Sequence, residues 1–374
     1  MSDMYEPEVL TGDGDGDRSD VALLRDLVEI ASVSGDEERA IDRLLEHGDR
    51  LGFTTARDEA GNGVLRAGPE NADQSIYLLG HIDTVPGWIP VREEDGILHG
   101  RGSVDAKGPL ATFVAASSRV AQTLHRTQLT VIAAVREESD GGGGRHVAQA
   151  LPAPTYAIIG EPSHWNGLTI GYKGSMSIEY ERTQAMSHTA GEEPMVAEYA
   201  VDFWNRLRAY TDEYNREITG LFDRIDPALR NVQTCHDGLY ATVSMRINLR
   251  LPPTIEAEAF GRLLATWAGD ARLEIFNIDS AYRASRSNAL VRSFSRAIRA
   301  RDAKPHIKLK TGTSDMNAVG PAWKCPILAY GPGDSRLDHT PVERIDLSEY
   351  ARAIDVLAEV LSDLDRHPAD VGGA

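Results

Sequence analysis

Three short apolar runs constrain this chain more than any other feature, because each leads into ionisable side chains: residues 75–79 (SIYLL), 129–135 (LTVIAAV) and 156–159 (YAII). Runs of this length bounded by turn residues predict strands buried on both faces, as in a largely parallel sheet. The first leads into Gly80-His81-Ile82-Asp83, the second into Arg136-Glu137-Glu138, and the third into Gly160-Glu161-Pro162. An imidazole or carboxylate at the mouth of a buried strand costs free energy unless something pairs with it, and a divalent metal is the usual partner. Ligands of open α/β sheets bind beyond the carboxyl ends of the strands, so the three sets are predicted to converge on one crest.

Two further segments join them. The loop 100–108 (GRGSVDAKG) brings Asp105, and the loop 331–341 (GPGDSRLDHTP), after a fourth apolar run at 326–330 (PILAY), brings His339. Two imidazoles with this many carboxylates exceed what a single zinc ion needs and suit two metals sharing a bridging carboxylate. One consistent distribution gives His81 and Glu161 to one metal, Glu138 and His339 to the other, with Asp105 between them. Water between such ions loses a proton near neutral pH, and Glu137, left unligated, suits the general base that takes it. Asp83 follows His81 by two positions, where its carboxylate is expected to accept the imidazole N–H and hold the ring.

Amphipathic helices predicted at 21–30, 37–51, 109–124, 289–300 and 347–364 alternate with the apolar strands. They make residues 18–170 and 284–366 one discontinuous α/β domain. Asp20 reads as the N-cap of the first helix, residues 54–67 as a hairpin turning on Gly61-Asn62-Gly63, and the four glycines 141–144 admit the reading of a flexible loop. Between 171 and 283 the texture changes. Residues 175–182 and 240–251 alternate as half-exposed antiparallel strands, with helices expected at 192–214 and 255–268 and a strand at 271–278. This segment reads as a smaller inserted α+β domain. Residues 1–17, acidic and glycine-rich, predict a disordered tail.

The formal net charge of −18 comes from 57 acidic against 39 basic residues, and only six of the basic residues are lysine. So acidic a chain argues against a nucleic-acid partner, which requires a basic face. It suits solubility in concentrated salt, where charge repulsion is screened within a few ångströms. Cys235 and Cys325 form no metal or disulfide pattern, no apolar run reaches the ~18 residues of a membrane span, and residues 1–20 lack the pattern of a secretory signal. A reducing, cytoplasmic setting is therefore expected.

The H-x-D at a strand end, the G-R-G-x-x-D-x-K-G loop, the Glu137-Glu138 pair, the Gly160-Glu161-Pro162 turn and Asp338-His339-Thr340-Pro341 together resemble the M20 family of metallopeptidases and amidohydrolases. The resemblance runs from about Val21 to Leu364 in five motifs in the family's order. It implies a zinc-peptidase-like catalytic domain interrupted by a lid and dimerisation domain. It also implies two zinc or cobalt ions on His81, Asp105, Glu138, Glu161 and His339, with Glu137 as base.

Within the family, the wording of residues 80–113 and 311–341 is similar to the hydrolases that release lysine or ornithine from the γ-carboxyl of a glutamate ending a small acidic carrier protein. By the same resemblance, His188 would reach across a homodimer to the scissile carbonyl, although Ala190-Gly191 departs from the family's proline there. Arg250, with Arg246 as its competitor, would hold a substrate carboxylate together with Gly312, Thr313 and Ser314. Lys173, Lys308 and Lys310 are expected to form a basic rim for the carrier. Deacylation of N-acetylornithine, desuccinylation of succinyl-diaminopimelate, dipeptide hydrolysis and a metal-free binding module are the competing readings.

Overall fold

The computed structural model describes residues 14–188 and 191–367. In chain order, α1 (Gly14–Val28) and α2 (Glu38–Arg50) precede the hairpin β1 (Thr54–Arg57) and β2 (Gly63–Ala67), then β3 (Gln74–His81). A small hairpin, β4 (Arg92–Glu94) and β5 (Ile97–His99), leads to α3 (Lys107–Val120), β6 (Thr127–Ala134), α4 (Gly142–Ala150), β7 (Tyr156–Gly160) and β8 (Gly167–Tyr172). The next module holds β9 (Gly174–Ala185), α5 (Val196–Asn215), β10 (Asp226–His236), β11 (Tyr240–Leu251), α6 (Ala257–Ala265) and β12 (Arg272–Asp279). The chain then returns through β13 (Tyr282–Arg283), α7 (Ala289–Arg299), β14 (His306–Lys310), α8 (Met316–Trp323), β15 (Ile327–Tyr330), β16 (Arg344–Asp346) and α9 (Leu347–Arg366).

The large sheet runs β1-β2-β6-β3-β7-β15-β8-β13, with β14 paired to β8. Its centre, β6, β3, β7 and β15, is parallel, and antiparallel strands flank it, so the sheet is mixed but largely parallel at its core. The apolar runs lie here because this centre is covered on both faces: β3, β6 and β7 are almost wholly buried. Helix α3 packs against α1 and α9 and touches β3, while α4 packs against α8.

The inserted module is a four-stranded antiparallel sheet, β10-β11-β9-β12, with its own core around Tyr180, Phe203, Ile247 and Phe260. Strand β9 alternates buried and partly exposed residues along its first half, as the period of its sequence predicts.

Several expectations shift. Tyr172 and Tyr282 still pair within the large sheet, so the crossings between the two sheets fall inside the 171–283 limits rather than at them. Residues 1–13 of the expected tail lie outside the described residues. Gly14 already begins α1, and Asp20 lies inside that helix, not at its N-cap, its carboxylate taken by Arg119. Strands β8 and β10 have no counterpart in the sequence reading: β8 (GLTIGY) is interrupted by glycines, and β10 is polar and exposed, so neither shows a clean period.

The four glycines are not a flexible loop. Gly141 takes the left-handed conformation and Gly142 to Gly144 form the first turn of α4. Each of the three lets another group approach: the Arg136 guanidinium at Gly142, Asn62 and Val135 at Gly143, and the Asp315 carboxylate at Gly144. Asn62 ties this corner together, donating to the Gly143 carbonyl (3.2 Å) and accepting from Val135 N–H (3.0 Å). A Cβ on Gly143 would stand 2.5 Å from the Val135 carbonyl oxygen and 2.6 Å from its nitrogen. Backbone atoms cannot swing aside, so Gly143→Ala is expected to destabilise the fold by about 1–3 kcal/mol. A urea titration checks this through a lowered midpoint at unchanged slope.

Candidate metal centre

His81 is the last residue of β3 and is 2% exposed. Its Nδ1–H donates to the main-chain carbonyl of Asp83 (3.0 Å), which fixes the ring and turns Nε2 toward Asp105 Oδ1 at 3.3 Å. The Asp83 carboxylate faces the same nitrogen, its Oδ1 3.5 Å from Nδ1, and it has a second task as well. Its oxygens accept the backbone N–H groups of Glu137 (3.1 Å) and Glu138 (3.0 Å) and the hydroxyl of Ser34 (2.6 Å). Asp83 thus faces the ring with both its carbonyl and its carboxylate, and its side chain also pins the loop after β6.

Asp105 turns one oxygen to each imidazole: Oδ1 to His81, and Oδ2 to His339 Nε2 at 3.0 Å. His339 Nε2 also lies 2.8 Å from Glu138 Oε1. Two sets of donor atoms thus come within 4.8 Å of one another, His81 with Glu137 and Glu138, and Asp105 with Glu138 and His339. Glu161, 7% exposed after β7, lines the same cavity but falls outside both sets.

Sequence reasoning missed Glu343. Fully buried, it accepts the backbone N–H groups of Val104 (3.0 Å) and Asp105 (3.1 Å) and the guanidinium of Arg101 (2.7 Å). It stands four residues after His339, so one carboxylate joins the loop of the shared aspartate to the loop of the second histidine. A buried ion pair between the Arg of G-R-G-x-x-D and a distant Glu leaves no local signal in the sequence.

The cavity over this crest measures about 570 Å³ and is lined by both sheets. Arg250, on β11, lines it and donates to Thr313 Oγ1 (3.2 Å), whereas Arg246 pairs with Glu179 (2.8 Å) outside it. Gly312, Thr313 and Ser314 also line the cavity. His188 lies exposed beyond the end of β9, apart from the residues lining the cavity.

The basic rim does not form. Lys173 is buried on the carbonyls of Leu221 and Arg224 and on Asp226, and Lys308 donates to the Ser163 carbonyl (2.8 Å). Of the three lysines only Lys310 lines the cavity.

The donor set fits divalent metal. Burial pushes Glu161 up to about 8, Asp315 up to about 7 and Asp338 up to about 9, and neighbouring carboxylates add to each shift. Burial likewise raises Glu137 and Glu138. Asp338 Oδ1 is buried with no hydrogen-bond partner. So many carboxyl groups in one cavity favour a cation to offset their charge, and the imidazoles and the Asp105 carboxylate are placed where they could hold one.

A parallel sheet carrying imidazoles around a shared carboxylate, beneath an inserted antiparallel lobe, defines a metal-dependent hydrolase of amide bonds. The chain belongs to Peptidase family M20/M25/M40, whose model matches residues 77–363. It is 42% identical over 351 residues to the "[LysW]-lysine hydrolase" of Deinococcus radiodurans, covering 91% of this chain and 96% of that one. It is 26% identical to the "[LysW]-lysine/[LysW]-ornithine hydrolase" of Sulfurisphaera tokodaii, covering 91% and 94%. In fold it is similar to an M20 family metallo-carboxypeptidase from Sulfolobus solfataricus (TM-score 0.75, 15% identity, 92% and 98% covered). No helix among the described residues is long and apolar enough to cross a membrane.

Metal loading is expected to depend on pH. If Glu161 serves as a ligand, as the family resemblance implies, it would have to give up a proton that burial holds up to about 8, and affinity would rise as pH climbs toward 8, with protons released on binding. Glu343→Gln is expected to weaken binding about 10–100-fold by loosening Asp105. Calorimetric titration of metal-stripped protein with Zn²⁺ or Co²⁺ in buffers of different ionisation enthalpy checks both outcomes.

Proposed function

We propose that the protein is a dinuclear-metal amidohydrolase that releases lysine, ornithine or both from the γ-glutamyl terminus of a small acidic amino-group carrier protein, within lysine or arginine biosynthesis. The observation that carries this reading is the near full-length similarity to the Deinococcus protein. The cavity supports it by facing a carboxylate receiver, Arg250 with Thr313, toward the imidazole–carboxylate crest.

His81 and Glu161 would hold one ion, and Glu138 and His339 the other, with Asp105 shared between them. Zinc or cobalt so held would polarise the scissile carbonyl and lower the pKa of water. The remaining steps fall to the chain's own side chains. Glu137, in the same cavity, takes a proton from the attacking water and passes it to the departing α-amine. Asp83 keeps Glu137 and Glu138 in place through their backbone N–H groups, and its carbonyl keeps the His81 ring turned inward. Arg250, Gly312, Thr313 and Ser314 receive the α-carboxylate of the departing amino acid. Lysine and ornithine differ by one methylene, worth only ~1–3 kcal/mol of discrimination, which favours an enzyme acting on both.

Metal-loaded enzyme is expected to release lysine or ornithine from the carrier conjugates at least 100-fold more efficiently than it deacetylates N-acetylornithine. Glu137→Gln is expected to lower kcat about 10²–10⁴-fold while retaining metal. Faster turnover of N-acetylornithine, or of a dipeptide, would overturn the substrate assignment.

The inserted sheet supports a homodimer. Strand β10 is an exposed edge carrying Leu229 and Val232, with Leu239, Tyr240 and Met186 exposed beside it, and such an edge invites pairing with a second copy. His188, at that end of the sheet, would then serve the partner's cavity. Val232→Asp is expected to yield monomers in sedimentation velocity. Mixing inactive His188→Ala with inactive Glu137→Gln subunits is expected to restore part of the activity. The −18 charge supports adaptation to salt, with a urea midpoint expected to rise with KCl concentration.

A further inference from the structure

The arginine and lysine side chains that line the cavity are Arg145, Arg250 and Lys310. They differ in what neutralises them. Arg145 is already committed, because its guanidinium pairs with Asp279 across the gap between α4 and β12. Arg250 has only the Thr313 hydroxyl as a hydrogen-bond partner among the described residues. Lys310 is held more loosely still. Among the described residues its Nζ donates no hydrogen bond; its neighbours are Glu161 Oε2 at 3.9 Å and the Tyr172 ring, whose centroid is 5.8 Å away. Once Glu161 serves a metal ion, that carboxylate no longer balances the ammonium. The cavity then offers a substrate two separate cations, one by the crest at Lys310 and one beyond the Thr311 to Thr313 loop at Arg250.

The proposed substrate has a matching pair of anions. A glutamate joined through its γ-carboxyl keeps its own α-carboxylate free, one side-chain length from the scissile carbon on the acyl side. The released lysine or ornithine carries a second α-carboxylate on the amine side. An ordinary peptide, or an N-acetyl amino acid, has no carboxylate at the first of these positions. Arg250 and its loop can satisfy only one of the two.

We infer that Lys310 is a specificity-determining residue that receives the free α-carboxylate of the acyl-side glutamate, so that the enzyme reads the γ-linkage itself. The inference rests on the proposed carrier-lysine substrate. It separates Lys310 from Lys173 and Lys308, whose ammonium groups are bound to the protein's own carbonyls. It also explains why a lysine lies within reach of a ligand carboxylate in a cavity that otherwise collects negative charge.

The test uses two probes that differ only by that carboxylate, both amides of the lysine α-amine: N-acetyl-γ-glutamyl-lysine and 4-acetamidobutyryl-lysine. Metal-loaded wild type is expected to prefer the first by about 10–100-fold in kcat/KM, the factor expected for a hydrogen bond to a charged group. Lys310→Met is expected to bring that ratio to within about threefold of unity, chiefly through KM, and Lys310→Arg to retain a substantial part of it. A wild-type ratio near unity overturns the inference without any variant. So does a Lys310→Met enzyme that loses both activities equally, which makes the lysine a counter-charge for Glu161; a parallel Co²⁺ titration would then register changed affinity. A third probe, N-acetyl-γ-glutamyl-lysinamide, lacks the amine-side carboxylate. If Lys310→Met abolishes discrimination against this probe instead, Lys310 reads the departing lysine and the inference fails. Failure of wild type to release lysine from the carrier conjugate is a separate result, which sinks the proposed function and this inference with it.

Discussion

The structure depends on a charge imbalance held at one end of a buried sheet. Asp105 turns one oxygen to each of two imidazoles, and around it stand more carboxyl groups than those imidazoles can offset. Burying carboxylates is costly when they lack counter-charge, and much of what surrounds the crest serves to contain them. Asp83 is held by the His81 ring, two backbone N–H groups and a serine, and Glu343 by an arginine and two more backbone N–H groups. These two carboxylates act as fasteners. The others, facing the cavity, remain available for ions and for proton transfer.

Much of this was legible in the sequence, and the reason is local. The central strands are buried on both faces, so they announce themselves as continuous apolar runs, and each carries ionisable residues at or just past its end. His81, Glu137, Glu138 and Glu161 could be placed at one crest because strand and side chain are neighbours in the chain. Periodicity alone leaves Arg250 and Arg246 level, since both lie on the same strand face, and only the family resemblance set Arg250 first. The distinction comes from Glu179 across the sheet, which takes Arg246 out of contention.

What escaped the sequence reading was set by distant contacts. Glu343, the burial of Lys173 and the close approaches of Asn62 at Gly143 and Asp315 at Gly144 each depend on residues far away in the chain. The glycines are instructive: four in a row suggest freedom, yet Gly141 takes the left-handed conformation and at the other three neighbouring groups leave no room for a Cβ. Strand β10 escaped for the opposite reason. Its outward face is bare, so its composition carries no imprint of the sheet it edges.

The Glu343 link spans 238 residues, from the loop of the shared aspartate almost to the last helix. During synthesis, a ribosome-bound chain that already carries His81, Asp105, Glu138 and Glu161 still lacks both His339 and the carboxylate that fixes Asp105. Closure of the C-terminal segment onto the loop at 100–108 is what brings His339 to Asp105 and Glu138, so the second group of donor atoms exists only once the last part of the chain has joined the fold.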